Sequence, residues 1–544
     1  MLNNAVQSVS GKMWRVNDFT GIWFSPELAQ IVHIYQNQTS SQLYYETFEQ
    51  TPISLIAELQ PLPFTPNDQT EVTILSAHEM LLADVYYHRL NPNTSLQTYP
   101  EYSPLNVFEV LVENFNQHYA FFNVRHVDWA NLVAQYRNNV TQNITQIDLF
   151  NVLKGLLAQI GDNHVNLLLS SNNLLDTDKK TEENYFGFKL KEPLLSCVIN
   201  EMVERNYTNN PTDENVISKY VDDVTEAANG NIKDNYLRYF KEDPKEKITW
   251  GTMQGKPDIG YLGVLSMEFP ENSGLSELRV LLNQIAQDFQ RWNIHDLIID
   301  IRFNQGGDDV KANEIMRYVI SKEFVAYTTQ IYYEGGVLSP RVATQIKPAA
   351  WSFLPANGRV VITTSSLTAS AAEMLPLGTL SYFPDRFTLI GDETMGIHSD
   401  QFVRVLNNPG NDREWIVTLS NQRRETRDGK SYEEIGVPVD IDARLPLLND
   451  VDKRFDGGLE KAVNFLSLNN YEGKLVASDA SHLNGLSINP QLLGLTIMTY
   501  AIYKLAKQAI KVTDGMYNRF RLFANPPPTE SMPKDNFKLI FHKA

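Results

Sequence analysis

The chain has 544 residues, too many for one hydrophobic core, and a formal net charge of −18 at pH 7. This acidic balance argues against a general affinity for nucleic acid or anionic membrane, because both bind basic surfaces. The single cysteine, Cys197, excludes an intrachain disulfide, and its apolar neighbours in LLSCV predict a buried thiol without a catalytic role. The sequence contains neither HExxH nor paired CxxC, so it predicts no metal and no cofactor.

Residues 1–100 predict a β-rich accessory domain, either a barrel or a sandwich. Short runs of aromatic and β-branched residues, such as AQIVHIY and QLYYETF, alternate with polar or proline-containing turns. The first residues, MLNNAVQSVSG, lack a basic patch followed by an apolar run, so we expect no signal peptide in this numbering.

A helical pattern begins at Asn106 and predicts a helical subdomain over residues 105–185. Two amphipathic segments are predicted there, and the second ends at Gly161, a residue type that often terminates helices. The letters DNH and then the strand pattern VNLLL come next. His164 is therefore predicted on a tight connection from a helix to a strand.

Strands and helices alternate after about residue 255, and residues 186–467 are predicted to form an α/β unit. Patterns such as DLIIDI and RVVITT are typical of buried parallel strands, whose carboxyl ends often form sites. Residues 186–255 have the least readable pattern. The tail, residues 468–544, contains one apolar stretch, LLGLTIMTYAIY, which is shorter than the roughly 20 residues of a membrane-spanning helix and predicts a packed helix.

The segment SSLTASAAEML begins at Ser365 and directly follows the strand pattern GRVVITT. Ser370 stands three residues before Glu373, which is the capping-box pattern of a helix start. The same position also suits a nucleophile, because a hydroxyl at a strand-to-helix turn lies close to backbone amides and to the positive end of a helix. From these residues alone, both interpretations stay open.

A serine nucleophile needs a base, and two of the ten histidines lie on loops beside α/β elements. His164 has Asp162 and Asn163 beside it, and these could fix its tautomer. His398 follows the strand after Ser370. An ordinary surface or core position is the commoner explanation for any single histidine.

The segment DIRFNQGGDD places two glycines, Gly306 and Gly307, after a buried strand. Their amides could supply half of an oxyanion hole, because glycine lets the backbone approach a ligand closely. A simple turn followed by a solvated helix start at Asp308 explains the same letters. The segment matches neither GxGxxG nor GxxxxGK[ST], so a nucleotide site has little support.

Taken in order, these segments resemble the tail-specific (C-terminal processing) serine protease family over roughly residues 106–467. GYLGVLSMEF with LIIDIRFNQGG is similar to the strand, helix and D-x-R-x-N-x-G-G turn of that family. LTASAAEM is similar to its nucleophile segment, and LIGDETMG and YEEIGVPVDI to its later blocks. The resemblance implies an α/β core of the ClpP/crotonase type, a mixed sheet with helices, accompanied by the helical subdomain and the β-rich N-terminal domain.

One departure from the family pattern decides the branch. Relatives with a Ser–Lys dyad carry lysine directly after G-x-x-T-x-G, and Ile397 stands there in this chain. The chain resembles instead the tricorn-protease-like branch, in which an upstream histidine is the base; the matching residue is His164. That branch also uses a glutamate before G-V, which corresponds to Glu433, with Glu434 as the adjacent alternative.

The resemblance therefore implies a serine peptidase acting on peptides or proteins, with Ser370 as nucleophile and His164 as base. The backbone amides of Ala371 and of Gly306 or Gly307 would bind the oxyanion. Family members suggest an exported location, periplasmic or extracellular. A different interpretation stays open, namely a catalytically inactive relative that binds an apolar ligand or acts as an interaction scaffold. The oligomeric state is left open.

Overall fold

The computed structural model describes residues 5–7, 13–15, 20–25, 30–36, 43–51, 54–57, 62–64, 72–76, 79–82, 85–89, 103–171, 183–187, 189–270, 273–333, 337–382, 386–407 and 413–478. One unit of the chain is Met1–Asn469 and a second is Asn470–Ala544. The apolar tail stretch at residues 492–503 lies outside the described residues. Within the described ranges, no helix is long and apolar enough to cross a membrane.

The N-terminal region is rich in β-strands, as its alternating pattern predicts. Its strands are β1 (Ala5–Gln7), β2 (Met13–Arg15), β3 (Gly21–Ser25), β4 (Gln30–Gln36), β5 (Leu43–Thr51), β6 (Ser54–Ala57), β7 (Leu62–Phe64), β8 (Val72–Ser76), β9 (Glu79–Leu82) and β10 (Val85–Arg89). β1 pairs with β2, and the others form an antiparallel sheet in the order β6-β5-β4-β3-β10-β9-β8, with β7 also paired to β5. Trp23 and Val32 are paired across β3 and β4 and are fully buried, so this sheet has a packed face.

Three helices follow: α1 (Pro104–His118), α2 (Trp129–Arg137) and α3 (Gln146–Ala158); α1 and α3 correspond to the two predicted helices, and α2 was not predicted. Thr145 caps α3 by accepting the amide of Asp148, which satisfies one of the free donors of the first turn. The apolar faces of α1 and α3 share one core with the fully buried Trp415. This core fixes the end of α3, from which the chain turns at His164 towards the next strand.

That next strand joins the helices to a much later part of the chain. β11 (Asn166–Ser171) pairs with β12 (Glu183–Phe186) on one side. On its other side it pairs with β23 (Arg413–Ser420), which in turn pairs with β22 (Gln401–Val405). The four strands form one antiparallel sheet, so the His164 turn is held against residues from the last third of the chain.

Residues 186–255, which have the least readable sequence pattern, contain two helices, α4 (Leu194–Glu204) and α5 (Glu214–Asn231). A π-helical turn, Ile232–Tyr236, extends α5. Cys197 on α4 is exposed, so the prediction of a buried thiol is wrong. Leu194, Val198 and Met202 face the core, and the helical period turns Cys197 to the opposite side.

The main sheet has seven strands in the order β13-β14-β15-β16-β20-β21-β25. They are β13 (Leu237–Asp243), β14 (Ile248–Met253), β15 (Lys256–Val264), β16 (Asp296–Asp300), β20 (Val360–Thr364), β21 (Phe387–Gly391) and β25 (Ile441–Asp442). The five from β15 to β25 run parallel, and β13 to β15 are antiparallel. This mixed sheet, with α6 (Leu275–Arg291) and α7 (Asp309–Arg317) packed in its core, confirms the predicted α/β class.

A smaller sheet and three short or terminal helices complete the described chain. Its strands are β17 (Phe324–Tyr333), β18 (Val337–Leu338), β19 (Val342–Ile346) and β24 (Gln422–Glu425). The helices are α8 (Met374–Thr379), α9 (Leu448–Val451) and α10 (Gly457–Ser478).

β16 and β20 are parallel neighbours, so their carboxyl ends lie side by side. The chain leaves β16 towards Gly306 and leaves β20 towards Ser370. Two hydroxyls tie these exits together: Ser365 Oγ donates to the carbonyl of Arg302 at 2.5 Å, and Thr368 Oγ1 donates to that of Ile301 at 2.8 Å. Both side chains therefore hold the framework on which the site is built.

Candidate active site

Ser370 is the first residue of a 3₁₀ turn, Ser370–Glu373, that leads into α8. Its φ of 53° lies in the left-handed region, which costs about 1–3 kcal/mol for a residue with a side chain. Glu373 Oε1 accepts the amide of Ser370 at 3.2 Å, as a capping box requires, but the serine makes no side-chain cap. The cap position of the turn is Ala369 and Ser370 is its first residue, so the predicted role of Ser370 as the capping residue is wrong.

The carboxylate of Glu373 is fully buried and surrounded by donors. Besides the Ser370 amide, it accepts the amide of Gly396 at 2.8 Å, the amide of Ile397 at 2.9 Å and the hydroxyl of Thr394. Four donors fix both oxygens, because a buried carboxylate is stable only when it is fully hydrogen-bonded. Glu373 thus joins the nucleophile turn to residues 394–397.

Of the two glycines, Gly306 lies directly against this turn, and Gly307 lies against Met267 and Glu268. A Cβ on Gly306 would stand 2.7 Å from Ser370 Cβ, and its φ is 113°, so a larger residue would collide with the serine. The Gly306 amide donates to Asn304 Oδ1 at 2.9 Å and is therefore occupied. Gly307 forms an isolated parallel β-bridge with Met267, and the hydrogen bonds of that bridge are made by its two neighbours. The carbonyl of Gly306 accepts the Met267 amide, and the amide of Asp308 donates to the Met267 carbonyl. The amide of Gly307 therefore faces away from Met267.

His164 is buried, and its turn is held through its backbone rather than through its ring. Asp162 Oδ1 accepts the His164 amide at 2.8 Å, and Thr418 Oγ1 on β23 donates to the His164 carbonyl at 2.7 Å. Within the described residues, Nδ1 has no hydrogen-bond partner. Burial lowers the pKa of His164, while the nearby charges of Asp162 and Glu373 oppose that shift, so the imidazole is neutral at pH 7.

Asn163 contacts neighbouring backbone instead of the imidazole. Its side chain donates to the carbonyl of Lys189 at 3.1 Å and accepts the amide of Lys189 at 3.3 Å. It also lies 3.1 Å from the sulfur of Met395. Asp162 and Asn163, the predicted neighbours of His164, therefore stabilise the turn. None of their described hydrogen bonds involves the imidazole ring.

Glu433 is linked to the His164 turn through Arg125. Arg125 donates to Glu433 Oε1 at 3.0 Å and stands 3.5 Å from Asp162 Oδ2, which also accepts the Tyr119 hydroxyl at 2.8 Å. Burial and the Asp162 charge raise the pKa of Glu433, whereas the Arg125 guanidinium opposes that increase. One guanidinium thus connects the predicted acidic residue to the turn that carries His164.

Glu434 contributes its backbone. Its carbonyl accepts Lys191 Nζ at 2.5 Å, and its amide donates to the carbonyl of Gly396 at 2.7 Å. Burial lowers the pKa of Lys191, and the Glu373 carboxylate opposes that shift. Of the two adjacent glutamates, Glu433 is therefore the one whose carboxylate lies in the buried network.

His398 is also buried and follows the 394–397 segment. Its amide donates to Glu433 Oε2 at 2.8 Å, and its Nε2 stands 3.3 Å from Glu373 Oε2. Among the described residues, no hydrogen bond joins the Ser370 hydroxyl to His398 or to His164. Catalytic contacts are often long before substrate binds, so this leaves either imidazole available as the base.

Four residues of the site were not predicted: Tyr119, Arg125, Lys191 and Thr394. Tyr119 fits the apolar face of α1 in the sequence, and only the fold shows its hydroxyl on Asp162. Arg125 and Lys191 lie in segments without a motif, so no local signal could have found them. No group of His, Cys, Asp or Glu side chains that could hold a metal ion occurs in the described part of the chain.

Two family models match this chain. Residues 258–443 match peptidase family S41, and residues 100–158 match the Tricorn protease C1 domain. The predicted resemblance is confirmed. The match to peptidase family S41 includes Gly306, Ser370, His398 and Glu433, whereas His164 falls between the two matched regions. Similarity to peptidase family S41 supports a serine peptidase.

Three solved structures to which the chain is similar share less than 20% sequence identity with it. A candidate peptidase from Parabacteroides merdae is 19% identical, with a TM-score of 0.49 over 67% of this chain and 97% of that one. Mature CPAF complexed with lactacystin is 12% identical, with a TM-score of 0.44 over 67% and 98%. The tricorn protease is 14% identical, with a TM-score of 0.36 over 80% and 45%. No curated protein matches the chain.

Proposed function

We propose that this chain is a serine peptidase of the tail-specific family, tricorn-like branch, in which Ser370 is the nucleophile and His164 the general base. The observation that carries the proposal is the strained Ser370 turn. A half-buried serine with φ of 53° follows the parallel strand β20 and lies against Gly306, and the Glu373 carboxylate that accepts its amide is also one of the charges acting on the buried imidazole of His164. Strain of this kind persists only where the surrounding structure holds it, and it clusters at active sites.

In the proposed reaction, Ser370 Oγ attacks the peptide carbonyl while His164 takes the hydroxyl proton. The imidazolium then gives that proton to the departing amine, which leaves an acyl-enzyme. In the second half, water attacks the acyl carbon while His164 removes its proton; the C–Oγ bond then breaks, His164 returns the proton to Ser370 Oγ, and the carboxylic acid product is released. Neutral His164 suits the first step, because only the neutral ring can accept a proton.

The backbone amides of Ala371 and Gly307 would bind the oxyanion. The Gly306 amide is the weaker candidate, because it already donates to Asn304 Oδ1. Each such donor is worth about 3–4 kcal/mol of transition-state stabilisation in comparable sites. Glu433 would act at a distance: through Arg125 and Asp162, it holds the turn that presents His164.

Labelling with a fluorophosphonate tests this assignment, because the reagent needs both an activated serine and a nearby oxyanion site. We expect one covalent adduct per chain, located on Ser370 by peptide mass mapping. An adduct on another serine, or no adduct on a folded chain, would contradict the proposal. The second outcome would favour a catalytically inactive relative.

The pH dependence of labelling is expected to follow His164. Its reference pKa is 6.5, and burial lowers that value in the folded chain. The base works only when neutral, so activity should persist as the pH falls through 6.5 and decline at a lower pH. The measurement is the second-order labelling rate between pH 4 and 9, with circular dichroism to exclude unfolding. A decline centred above pH 6.5 would contradict the assignment.

A further inference from the structure

His398 is a second buried imidazole of the site, and the proposed mechanism leaves it without a role. Its side chain is 1% exposed, so it cannot serve as a solvated surface residue. A buried polar ring costs free energy unless its contacts offset that cost. Its position therefore calls for a physical explanation.

The backbone of His398 lies between two parts of the site. Its amide donates to Glu433 Oε2 at 2.8 Å, and its carbonyl accepts Arg424 Nη1 at 2.6 Å. Arg424 Nη2 in turn lies 2.5 Å from Asp309 Oδ2, in the first turn of α7, the helix that follows the glycine pair. These hydrogen bonds hold the backbone of His398 in place, independently of any contact that its ring makes.

The ring lies between two carboxylates and is closer to one of them. Nε2 stands 3.3 Å from Glu373 Oε2, and Nδ1 stands 4.0 Å from Glu433 Oε2. Among the described residues, neither nitrogen makes an aligned hydrogen bond. The carboxylate that it approaches is the one whose other oxygen accepts the Ser370 amide at 3.2 Å.

The charges around the ring favour its neutral form. Burial lowers the pKa of His398, the Glu373 carboxylate opposes this, and the cations Arg424 and Lys191 reinforce it. A neutral imidazole carries a single N–H. Because Nε2 is the nitrogen closer to a carboxylate, we infer that the proton lies on Nε2, from which rotation of the ring would complete a hydrogen bond to Glu373 Oε2.

We propose that the imidazole of His398 is a positioning residue, which holds the Glu373 carboxylate beneath the nucleophile turn and thereby directs the Ser370 hydroxyl towards His164. This inference rests on the proposed function. The path is short: ring to Glu373 Oε2, Glu373 Oε1 to the Ser370 amide, and then the serine itself. A shift of about 1 Å in a reacting group can reduce the rate by roughly 100-fold, so the carboxylate need move only a little.

A matched pair of substitutions separates this role from mere space filling. The amide nitrogen of glutamine falls near the Nε2 position of histidine, whereas that of asparagine falls near Nδ1. His398→Gln therefore keeps a donor for Glu373, and His398→Asn moves it towards Glu433. Both variants remove the titratable group, and His398→Leu removes every donor.

We expect His398→Gln to keep kcat within about 5-fold of the parent, and His398→Asn and His398→Leu to lose roughly 10- to 100-fold in kcat with little change in KM. Combining His398→Leu with Glu373→Gln should add little to the loss from Glu373→Gln alone. The rate of Ser370 labelling provides the same comparison without a peptide substrate, and thermal unfolding followed by circular dichroism shows whether each variant folds.

Two results would overturn the inference. In the first, glutamine and asparagine variants that both fold have equal kcat. In the second, His398→Leu abolishes labelling as completely as His164→Ala, which would make His398 the base. Failure of the proposed function is distinguishable, because the unmodified chain would then show neither labelling nor peptidase activity.

Discussion

Replacing Ser370 with alanine is expected to reduce kcat by roughly 10⁴-fold or more, since no other group could form the acyl-enzyme. His164→Ala should cause a loss of the same order, because an unactivated hydroxyl is a weak nucleophile at neutral pH. The double variant should be little worse than either single variant, as expected for residues that act as one unit. The measurement is hydrolysis of an unstructured protein substrate under saturating conditions.

The same loop offers a matched control. Ser366 lies four residues before the predicted nucleophile, and its Oγ is buried without a hydrogen-bond partner among the described residues. Losing such a hydroxyl should be close to neutral, so Ser366→Ala should keep nearly full activity. If Ser366→Ala is inactive while Ser370→Ala hydrolyses substrate normally, the nucleophile has been misassigned.

The second large effect concerns stability. Arg302 follows β16, is 1% exposed, and forms ion pairs with Asp300 at 2.7 Å and Asp456 at 2.7 Å. Asp456 also accepts the amides of Gly458 and Leu459 at the start of α10. Arg302→Leu leaves two buried carboxylates without their cation, and we expect it to lower the free energy of unfolding by about 3–5 kcal/mol. Urea denaturation followed by circular dichroism measures the change.

An exposed ion pair serves as the comparison. Lys219 and Asp223 are 2.8 Å apart on α5, but their side chains are 68% and 38% exposed, so water screens the attraction. Lys219→Ala should leave the free energy of unfolding nearly unchanged. A loss for Arg302→Leu that is no larger than that for Lys219→Ala would show that the buried network does not hold the sheet to α10.

The elements that form the core of the fold could be predicted because their patterns are local. Every residue of β16 and of β20 is buried; β20 is an unbroken apolar and β-branched run, and β16 has an apolar centre between Asp296 and Asp300. The pairing of β11 with β23 could not be predicted. It joins Asn166 to Thr418 across 252 residues, and no local pattern encodes which distant strand completes a sheet.

Some residues of the candidate site could likewise be predicted from local sequence, and the contacts between them could not. Ser370 and the glycine pair stand out because a strand end, small residues and a helix start follow each other in sequence. The links between the predicted residues could not be foreseen: Arg125 connects Glu433 to Asp162 only after α1 and β23 have packed together. The error at Cys197 has a similar origin, since its apolar neighbours all belong to the opposite face of α4.

The most direct test of the central claim is an experimental structure of the chain with Ser370 phosphonylated. The quantity to measure is the distance from each imidazole to Ser370 Oγ. We expect a ring nitrogen of His164 within about 2.6–3.2 Å of that oxygen, with His398 remaining against Glu373. A structure in which His398 occupies that place, or in which His164 points away from the adduct, would contradict the account.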